Sequence, residues 1–597
     1  KSLLALAVAG TMAMSGGAYA TALEMDNADT PVDQGAMADG DSIVNLVDDE
    51  ADFMYIEVDA AAADADEQIT NINSDFDGTL LVSDTEATSS NAINVTGFVD
   101  IESATTLTIF MGNDETDSTG NDTLESVSMV ITGSVGNTSG SVKGGTLTLT
   151  GANDITDDFD TIFTANGSVR LTALNATGGT GATDEGADMT VTLGNEAGDT
   201  IDITTLTANG GTSAADTGGD AAITVTGVMS DASGGINVNG GTGAATIGGA
   251  STITVTQAVA ALSGAIDING GASAGAAAGG AAKLVFSSSV TTTANATIDG
   301  GAAGTGAGNG GASELEVDGV WSGASNTITI TGGTAGTATN AADGGVATGN
   351  FDAAVTAKGI SVIGANGSAA AFTADGGAAI LTVDGGAATI GTTGLTVTAG
   401  NGGAGDAATL GGNSTATLSS TSAITGTIRV TGGTAGSTNN GANAGAAYLT
   451  FTDDVVATDQ SMVITGGDGA STNTANGGAA TVEIIATSTF SSVELDDGTA
   501  NDGTKGSATL LFDAAAAETF TGAVTAAVDG EGTITIENSN ATGLTVASAI
   551  GISGTSIGTL NIGTTAEAHA AFTSDVFADA INISSATAAS SADFNGN

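Results

Sequence analysis

Clusters of acidic side chains are the residues of this sequence best suited to chemistry, because carboxylate oxygens are the ligands that hard cations prefer. In the first cluster, Asn73-Ser-Asp75-Phe-Asp77-Gly78 is followed by Asp84. These residues place oxygen ligands at positions 1, 3, 5 and 12 of a loop with Gly at position 6, which is the spacing of calcium loops. The flanking residues have a strand pattern, and Glu would chelate better than Asp at position 12, so the spacing does not predict a helix–loop–helix site.

Two further clusters repeat this composition. One is Gly112-Asn-Asp114-Glu115-Thr-Asp117 with Gly120-Asn-Asp122, and the other joins Asp496-Asp497 to Asp502. Neighbouring carboxylates repel each other unless a cation lies between them, so we predict Ca²⁺ as a ligand of this chain. The alternative is that the clusters are solvated loops that keep the protein soluble. The candidate calcium ligands are Asn73, Asp75, Asp77, Asp84, Asp114, Asp117 and Asp122.

Strands of the Thr-x-Thr type are a second candidate for function. They occur at Thr252-Ile-Thr-Val-Thr256, Thr327-Ile-Thr-Ile-Thr331 and Thr396-Val-Thr398. Stacked in register, such strands would form a flat threonine array of the kind that ice-binding solenoids use. Thr is also common on exposed strand faces because of its β-propensity alone, and this structural interpretation is favoured.

Catalysis is the third candidate, and the composition argues against most forms of it. With no Cys, thiol chemistry, Cys-ligated zinc and disulfides are excluded, and the single His, His569, is the one side chain that could serve as the base of a Ser-His-Asp triad. A basic cluster for acidic sugars is disfavoured because the basic residues of the mature chain are spread out: Lys143, Arg170, Lys283, Lys358, Arg429 and Lys505.

Paired carboxylates could still serve a glycosidase, since hydrolysis of glycosidic bonds uses two of them. Aromatic platforms for sugars are sparse, because Trp321, Tyr55 and Tyr448 are far apart in the sequence. We therefore predict that the chain is not an enzyme, with a carbohydrate-active β-helix enzyme as the alternative.

The charge of the chain excludes one class of partner. Seven Lys and Arg against 67 Asp and Glu give a formal net charge of −60. Such a field repels phosphate backbones and anionic membranes, so nucleic acid is excluded as a partner.

A repeat of about thirty residues organises the elements that carry these side chains. Short runs such as Ile236-Asn-Val-Asn239 end in a Gly pair, and the pairs that begin at Gly210, Gly240 and Gly270 are 30 residues apart. A second Gly pair in each repeat precedes another run, such as Ile253-Thr-Val255. The alternation of apolar and polar residues predicts half-buried strands, and the Gly pairs are expected to supply positive φ at the corners.

The repeat predicts an all-β fold, a parallel β-solenoid (β-helix) of ~30-residue coils. A string of small β-sandwiches is the alternative, disfavoured because thirty residues are too few for one sandwich. The predicted organisation is a signal peptide at 1–20, a flexible acidic lead at 21–50, irregular β structure or early coils at 51–168, a solenoid array of roughly ten repeats at 169–490, and terminal coils or a cap at 491–597.

The first twenty residues predict export. An apolar stretch from Leu3 to Met14 follows Lys1 and precedes Ala18-Tyr19-Ala20, which fits a signal-peptide cleavage site. Cleavage would leave a mature chain that begins near Thr21. No other stretch approaches the ~18 apolar residues of a spanning helix, so we predict no integral helical membrane segment in the mature chain.

The signal peptide and the repeated Ile-x-Val-x-Gly-Gly and Gly-Gly-Ala-Ala-x-Ile-x-Val phrases resemble the Gly/Ala/Thr-rich repeat proteins of bacterial surfaces. This group contains S-layer-like coat proteins, adhesins and autotransporter passengers. The resemblance covers about residues 170–490 and implies an extracellular or cell-surface structural role, with self-assembly, other cell-surface components or a glycan as the partner. Ca²⁺ bridging between carboxylates is implied by the likeness to S-layer proteins. A passenger would carry an aromatic-rich membrane barrel, which this sequence does not show.

Overall fold

A computed structural model describes two parts of the chain. Before residue 91 it describes the strands alone. From residue 91 it describes all residues except 102, 104, 112–125, 138–141, 152–159, 184, 307, 338–341, 369–373, 404–409, 435–443, 469–475, 500–503, 585–588 and 596–597. Every regular element in the described part is a β-strand, and the strands, numbered in chain order, form two parallel sheets.

The first sheet has 20 strands, each paired with the next one in the order given. They are β1 (Ala20–Glu24), β3 (Ser42–Val47), β5 (Gln68–Ile72), β7 (Asn91–Val95), β9 (Ser126–Ile131), β12 (Asp160–Ala165), β14 (Asp188–Leu193), β16 (Ala221–Val225), β19 (Ser251–Val255), β22 (Ala282–Phe286), β25 (Ser313–Val317), β27 (Ala347–Phe351), β29 (Ala379–Val383), β31 (Ser414–Leu418), β34 (Ala447–Phe451), β36 (Ala479–Ile484), β38 (Ser507–Phe512), β40 (Glu531–Ile536), β42 (Ile557–Ile562) and β44 (Ala578–Ile583).

The second sheet has 25 strands, because several coils bend within it and contribute two short strands. They are β2 (Val32–Met37), β4 (Phe53–Val58), β6 (Thr79–Asp84), β8 (Thr106–Met111), β10 (Val135–Gly136), β11 (Gly144–Gly151), β13 (Val169–Thr177), β15 (Thr200–Asn209), β17 (Val228–Asp231), β18 (Gly235–Asn239), β20 (Val259–Leu262), β21 (Ile266–Asn269), β23 (Val290–Thr292), β24 (Ala296–Asp299), β26 (Trp321–Thr331), β28 (Val355–Ile363), β30 (Ala388–Thr398), β32 (Ser422–Ile424), β33 (Ile428–Thr431), β35 (Val455–Thr465), β37 (Ser488–Asp496), β39 (Glu518–Ala526), β41 (Leu544–Val546), β43 (His569–Phe572) and β45 (Ser591–Phe594).

Parallel pairing between equivalent strands confirms the predicted β-solenoid, with stacked coils about 32 residues apart. Ser251, for example, pairs with Ala282, and Ala282 pairs with Ser313. The alternative of separate antiparallel sandwiches is wrong, because both sheets run continuously through successive coils. Ten strands of the first sheet lie within 169–490, from β14 to β36 in the order above, one for each of the roughly ten repeats expected.

The same two sheets continue outside the predicted array. Strands within 51–168 and 491–597 pair in parallel with the array and with each other, and β1, β2 and β3 lie at least partly within the predicted acidic lead. The proposed division of the chain into five segments stays a prediction.

Alternation along the strands builds the core. In β19, Ile253 and Val255 are buried, whereas Thr252 and Thr254 face outward and are half-buried. Because strands stack in register, buried apolar side chains of successive coils lie on one another, as Ile253 does on Leu284 and Val255 on Phe286. Burial of one such side chain contributes about 1.5–3 kcal/mol. Aromatic residues join these columns, with the Trp321 ring 5.9 Å from that of Phe286.

Paired glycines form one edge of the body, but not for the reason expected. Positive φ angles occur at other glycines, such as Gly235 and Gly394, and not at the repeated pairs, so the expectation of positive φ there is wrong. The pairs allow close approach instead: a Cβ on Gly241 would overlap the Gly211 carbonyl oxygen.

Backbone hydrogen bonds join these glycines into one axial series, which we call the glycine spine. The N–H of Gly219 donates to Gly211 (2.8 Å), that of Gly241 to Gly219 (2.8 Å), and that of Gly249 to Gly241 (2.8 Å). The pattern continues through Gly271, Gly280, Gly301, Gly311, Gly333, Gly345, Ala365, Gly377, Gly400 and Gly412. Because each bond joins two backbones without a side chain between them, the spine closes the interior on that edge.

In the coils from 210 to 280, where it is described throughout, a short loop connects the first Gly pair of the coil to the second. We call the stacked loops 212–217, 242–247 and 272–278 the fin. Its loops are also joined by backbone bonds, since Ser213 donates to Thr242 (2.9 Å) and Gly243 to Ala272 (3.0 Å).

Candidate functional surface

The predicted calcium ligands fall almost entirely outside the described residues. Asn73, Asp75, Asp77, Asp114, Asp117 and Asp122 are not described, and neither is Asp502. Asp84 is the last residue of β6. Among the residues that the structure describes, no group of three or more His, Cys, Asp or Glu side chains is close enough to hold a metal. Calcium binding therefore stays a prediction.

The described members of the third acidic cluster are hydrogen-bonded to their own chain. Asp496 accepts the N–H of Gly498 (2.9 Å). Asp497 accepts the N–H of Ala508 (2.7 Å) and lies 3.9 Å from the Lys505 ammonium. Both carboxylates thus stabilise the turn that follows β37.

Acidic and amide side chains also bind from coil to coil along the axis. Asp188 accepts the N–H of Asp220 (2.6 Å), and Asp220 in turn accepts the N–H of Ala250 (2.6 Å). A second series begins at Asn309, which accepts from Asp343 (2.8 Å), and Asp343 accepts from Asp375 (2.9 Å). These bonds from backbone N–H groups to side-chain oxygens join each coil to the next along the axis.

An asparagine ladder lies beside the glycine spine. The Asn239 side chain donates to Asn209 (2.8 Å), and that of Asn269 donates to Asn239 (2.9 Å). The next position is Asp299. Burial raises the pKa of Asp299 above its ordinary value. A hydrogen bond from Thr331 lowers this pKa, but the charge of Asp267 raises it further. Sequence analysis missed the ladder, although its signal was the Asn that precedes the Gly pairs at Gly210, Gly240 and Gly270.

Most of the described basic residues pair with acids in other coils. Lys143 lies 2.8 Å from Asp202 and 2.5 Å from Asp231, and Arg170 lies 3.1 Å from Asp202. Burial alone would raise the Asp231 pKa, but the hydrogen bond and charge of Lys143 outweigh it and hold that pKa below its ordinary value. Farther along the chain, Lys283 binds Glu314 and Glu316, and Lys505 binds Glu531.

The aromatic candidates do not form a common platform for sugars. Trp321 is fully buried in the core, and the side chain of Tyr55 is not among those described. Tyr448 donates to Glu483 (2.7 Å), and burial together with that carboxylate raises the pKa of Tyr448 to about 12.

The Thr-x-Thr strands divide between the two sheets. Thr252 and Thr254 lie on the first sheet, whereas Thr327-Ile-Thr-Ile-Thr331 and Thr396-Val-Thr398 lie on the second. One column of the first sheet stacks Thr164, Thr192, Thr224 and Thr254, and the next position is Val285. This threonine column is therefore four residues long.

The single histidine lies in a hydrogen-bonded series near the C-terminal end of the described solenoid. Its Nδ1 lies 2.8 Å from the Ser591 hydroxyl, and its Nε2 lies 3.2 Å from a Glu567 carboxylate oxygen. A hydroxyl, an imidazole and a carboxylate in this order are the groups of a catalytic triad. In a triad the hydroxyl is the nucleophile, the imidazole is the base, and the carboxylate orients the imidazole. His569 and Ser591 are also simple cross-strand neighbours of β43 and β45.

Comparison of the chain with protein-family models, with curated proteins and with solved structures finds no match. Within the described residues, no helix is long and apolar enough to cross a bilayer.

Proposed function

We propose that this chain is a secreted structural protein of the bacterial surface, which assembles into a coat or fibre or mediates attachment. The observation that carries the proposal is that two parallel sheets run without interruption along one axis, while charged and amide side chains join coil to coil. Twenty strands at the ~4.8 Å strand spacing give a rod of roughly 90 Å. A long body stiffened by its own polar groups suits a load-bearing or spacing role.

The N-terminal sequence and the acidic loops complete this proposal. The signal peptide would place the protein outside the cell, and Ca²⁺ bound by carboxylates of neighbouring subunits would offset the repulsion between chains of charge −60. Other cell-surface components or a glycan are the partners in the attachment role. An autotransporter passenger is a further variant of the same proposal.

Electron microscopy of the purified protein in millimolar Ca²⁺, and again after chelation, tests the structural role. Sheets or filaments that dissolve on chelation are the expected result. Isolated rods under both conditions, with no binding to cell-surface material, would contradict it. N-terminal sequencing of the exported protein tests the leader, and a start near Thr21 is expected.

An enzyme is the second candidate, and the contacts of His569 with Ser591 and Glu567 are what favour it. In this proposal His569 takes the Ser591 proton as the hydroxyl oxygen attacks an ester carbonyl, and gives that proton to the leaving alcohol, so that the acyl group is bound to Ser591. A water molecule then attacks the acyl carbonyl, His569 takes the water proton and returns it to the Ser591 oxygen, and the acid is released. Hydrolysis of a small ester or of a glycan ester, lost in Ser591→Ala but kept in Ser590→Ala, would support this role. Equal rates for the two variants would exclude it.

A further inference from the structure

Asn-Gly pairs recur along the solenoid, and such a pair is a place where a polypeptide can modify itself. The Gly backbone nitrogen attacks the side-chain carbonyl carbon of the Asn, because Gly has no Cβ to hinder the approach. The bond from that carbon to the side-chain nitrogen breaks, ammonia leaves, and water opens the resulting cyclic imide to Asp or isoaspartate. In the described part of the chain the pairs begin at Asn166, Asn209, Asn239, Asn269, Asn309, Asn366, Asn401 and Asn476.

In most of these pairs the attacking nitrogen is hydrogen-bonded to the next coil. The N–H of Gly240 donates to the Asn269 carbonyl (2.9 Å), and that of Gly367 donates to the Asn401 carbonyl (2.8 Å). The equivalent bond is made by Gly210, Gly270, Gly310, Gly402 and Gly477. Attack requires the nitrogen to lose its proton and the peptide plane to rotate, so each of these bonds opposes the reaction.

The Asn side chains of the bonded pairs are also held by other coils. The Asn239 side chain donates to the side-chain oxygens of Asn209 (2.8 Å) and Asn237 (2.9 Å). In a later coil, the Asn366 side chain accepts the N–H of Asn401 (2.9 Å). The same kind of acceptor bond is made by Asn309 and Asn401. A side chain bound in this way cannot turn toward the following nitrogen until the coils separate.

Asn166-Gly167 differs from the other pairs. It lies in the turn between β12 and β13, where the backbone N–H of Asn166 donates to the Ile131 carbonyl (2.7 Å). Among the described residues, however, neither the Asn166 side chain nor the Gly167 N–H has a hydrogen-bond partner. Both residues are only half-buried, so water reaches them. The nucleophile and the electrophile of the reaction are therefore both unrestrained at this pair.

We propose that Asn166 is a site of spontaneous deamidation in the folded chain, and that the Asn-Gly pairs bonded between coils deamidate only when those coils separate. The reaction needs water alone as a co-reactant, and it converts the side-chain amide to an acid with release of ammonia. Local separation of coils costs free energy, so the bonded pairs react at a rate reduced by the small fraction of open molecules. This inference does not depend on the proposed structural function.

Conversion to an acid has different consequences at the two kinds of site. An acid at Asn239 removes the donor that binds Asn209 and Asn237, and it places a negative charge within the asparagine ladder. An acid at Asn166 adds the same charge without removing a side-chain hydrogen bond to any described residue. The hydrogen bonds between coils therefore protect the amides that the solenoid itself uses.

Peptide mapping by mass spectrometry tests the proposal on the full chain, incubated at mildly alkaline pH either folded or unfolded in urea. In urea, Asn166 and Asn239 are expected to deamidate at similar rates, because both precede Gly. In the folded protein Asn166 is expected to react within about threefold of its unfolded rate, whereas Asn239 and Asn366 react at least about tenfold more slowly than in urea. Equal folded rates at Asn166 and Asn239 would overturn the proposal, and so would a folded rate at Asn239 that matches its rate in urea.

Two variants test the hydrogen bonds that provide the protection. Asn239→Asp is expected to lower the urea midpoint of unfolding, and Asn166→Asp, which adds the same charge, is expected to leave that midpoint unchanged. In the folded Asn239→Asp protein, the neighbouring Asn209 is expected to deamidate at least about threefold faster than in the wild type, because it has lost a side-chain partner. Unchanged midpoints in both variants, with an unchanged rate at Asn209, would show that the ladder does not restrain these side chains and would overturn the protection.

Discussion

At the scale of single residues, Glu537 is a carboxylate that its own chain binds through several hydrogen bonds. It accepts N–H groups from Thr564 (3.0 Å), Thr565 (3.1 Å) and Ala566 (3.2 Å), and also the Thr564 hydroxyl. Burial alone would raise its pKa, but these hydrogen bonds outweigh it and hold the Glu537 pKa below the usual 4.5. The charged form therefore stabilises the fold.

Replacement of this carboxylate tests its role through pH. A group whose pKa is lowered by folding contributes stability above its unfolded pKa, and that stability is lost as pH falls through the folded value. Glu537→Gln is expected to lower the free energy of unfolding at pH 7 by about 1–3 kcal/mol and to make it less sensitive to pH below about 4.5. Urea unfolding at a series of pH values measures both effects.

Asp513 provides the opposite case. Burial raises its pKa, and the charges of Glu483 and Glu537 add to the rise, so the ionised form opposes folding. This penalty is present at neutral pH and disappears as pH falls through the raised pKa. Asp513→Asn is expected to raise stability slightly at pH 7 and to have no effect at low pH. A loss of stability at pH 7 in the same urea titration would contradict the argument.

Sequence analysis identified the chemical type of such residues better than their partners. The abundance of Asp and Asn predicted acidic loops, but the described carboxylates mostly accept N–H groups or pair with cations one coil away. Asp188 and Asp220, for example, are 32 residues apart in sequence and meet only because the coils stack. Which side chain is the partner at that separation depends on the exact number of residues in the coil. The spacing of motifs in the sequence does not predict that number to within one or two residues.

At the scale of elements, the glycine spine depends on the absence of Cβ atoms rather than on unusual φ angles. Gly241→Ala would place a methyl group against the Gly211 carbonyl and separate two backbones that are joined by hydrogen bonds. Overpacking of a close contact costs about 1–3 kcal/mol. We expect this variant to lower the denaturation midpoint and to speed hydrogen exchange at the Gly241 and Gly249 amides.

Gly198 is the matched control for this substitution. A Cβ at that position has no atom within 4 Å, and its φ is not positive. Gly198→Ala is therefore expected to be neutral or to stabilise by up to about 1 kcal/mol, because it restricts the unfolded chain. Equal destabilisation by both variants would show that the spine has no special role.

The spacing of the Gly pairs predicted the period of the repeat, but their conformation was predicted wrongly. Glycine permits both positive φ and close backbone approach, and a sequence cannot distinguish the two uses. Which of them applies depends on what faces the residue, and Gly241 faces Gly211 and Gly219 of the preceding coil. The alternation in Ile253-Thr-Val255, in contrast, allows one arrangement only, so its buried and exposed faces were predictable.

At the scale of the whole molecule, the solenoid is a one-dimensional array in which each coil contacts mainly its neighbours. Deletion of residues 251–281 removes one coil and brings Ala282 to the position of Ser251, since these two residues occupy the same place in successive coils. The strand β22 would then pair with β16 in unchanged register. Because stability in such arrays is close to a sum of coil and interface terms, we expect the shortened protein to fold.

The measurement compares this deletion with one of about half a coil, residues 251–265, which begins at the same residue. The half deletion joins Ala250 to Ile266 and brings β21, a strand of the second sheet, to a position where the first sheet needs a partner for β16. Circular dichroism and urea unfolding should show a native-like protein with a slightly smaller m-value for the full-coil deletion, because less surface is buried. The half deletion should lose cooperative unfolding. If both deletions behaved alike, stability would not depend on the coil register that the parallel sheets display.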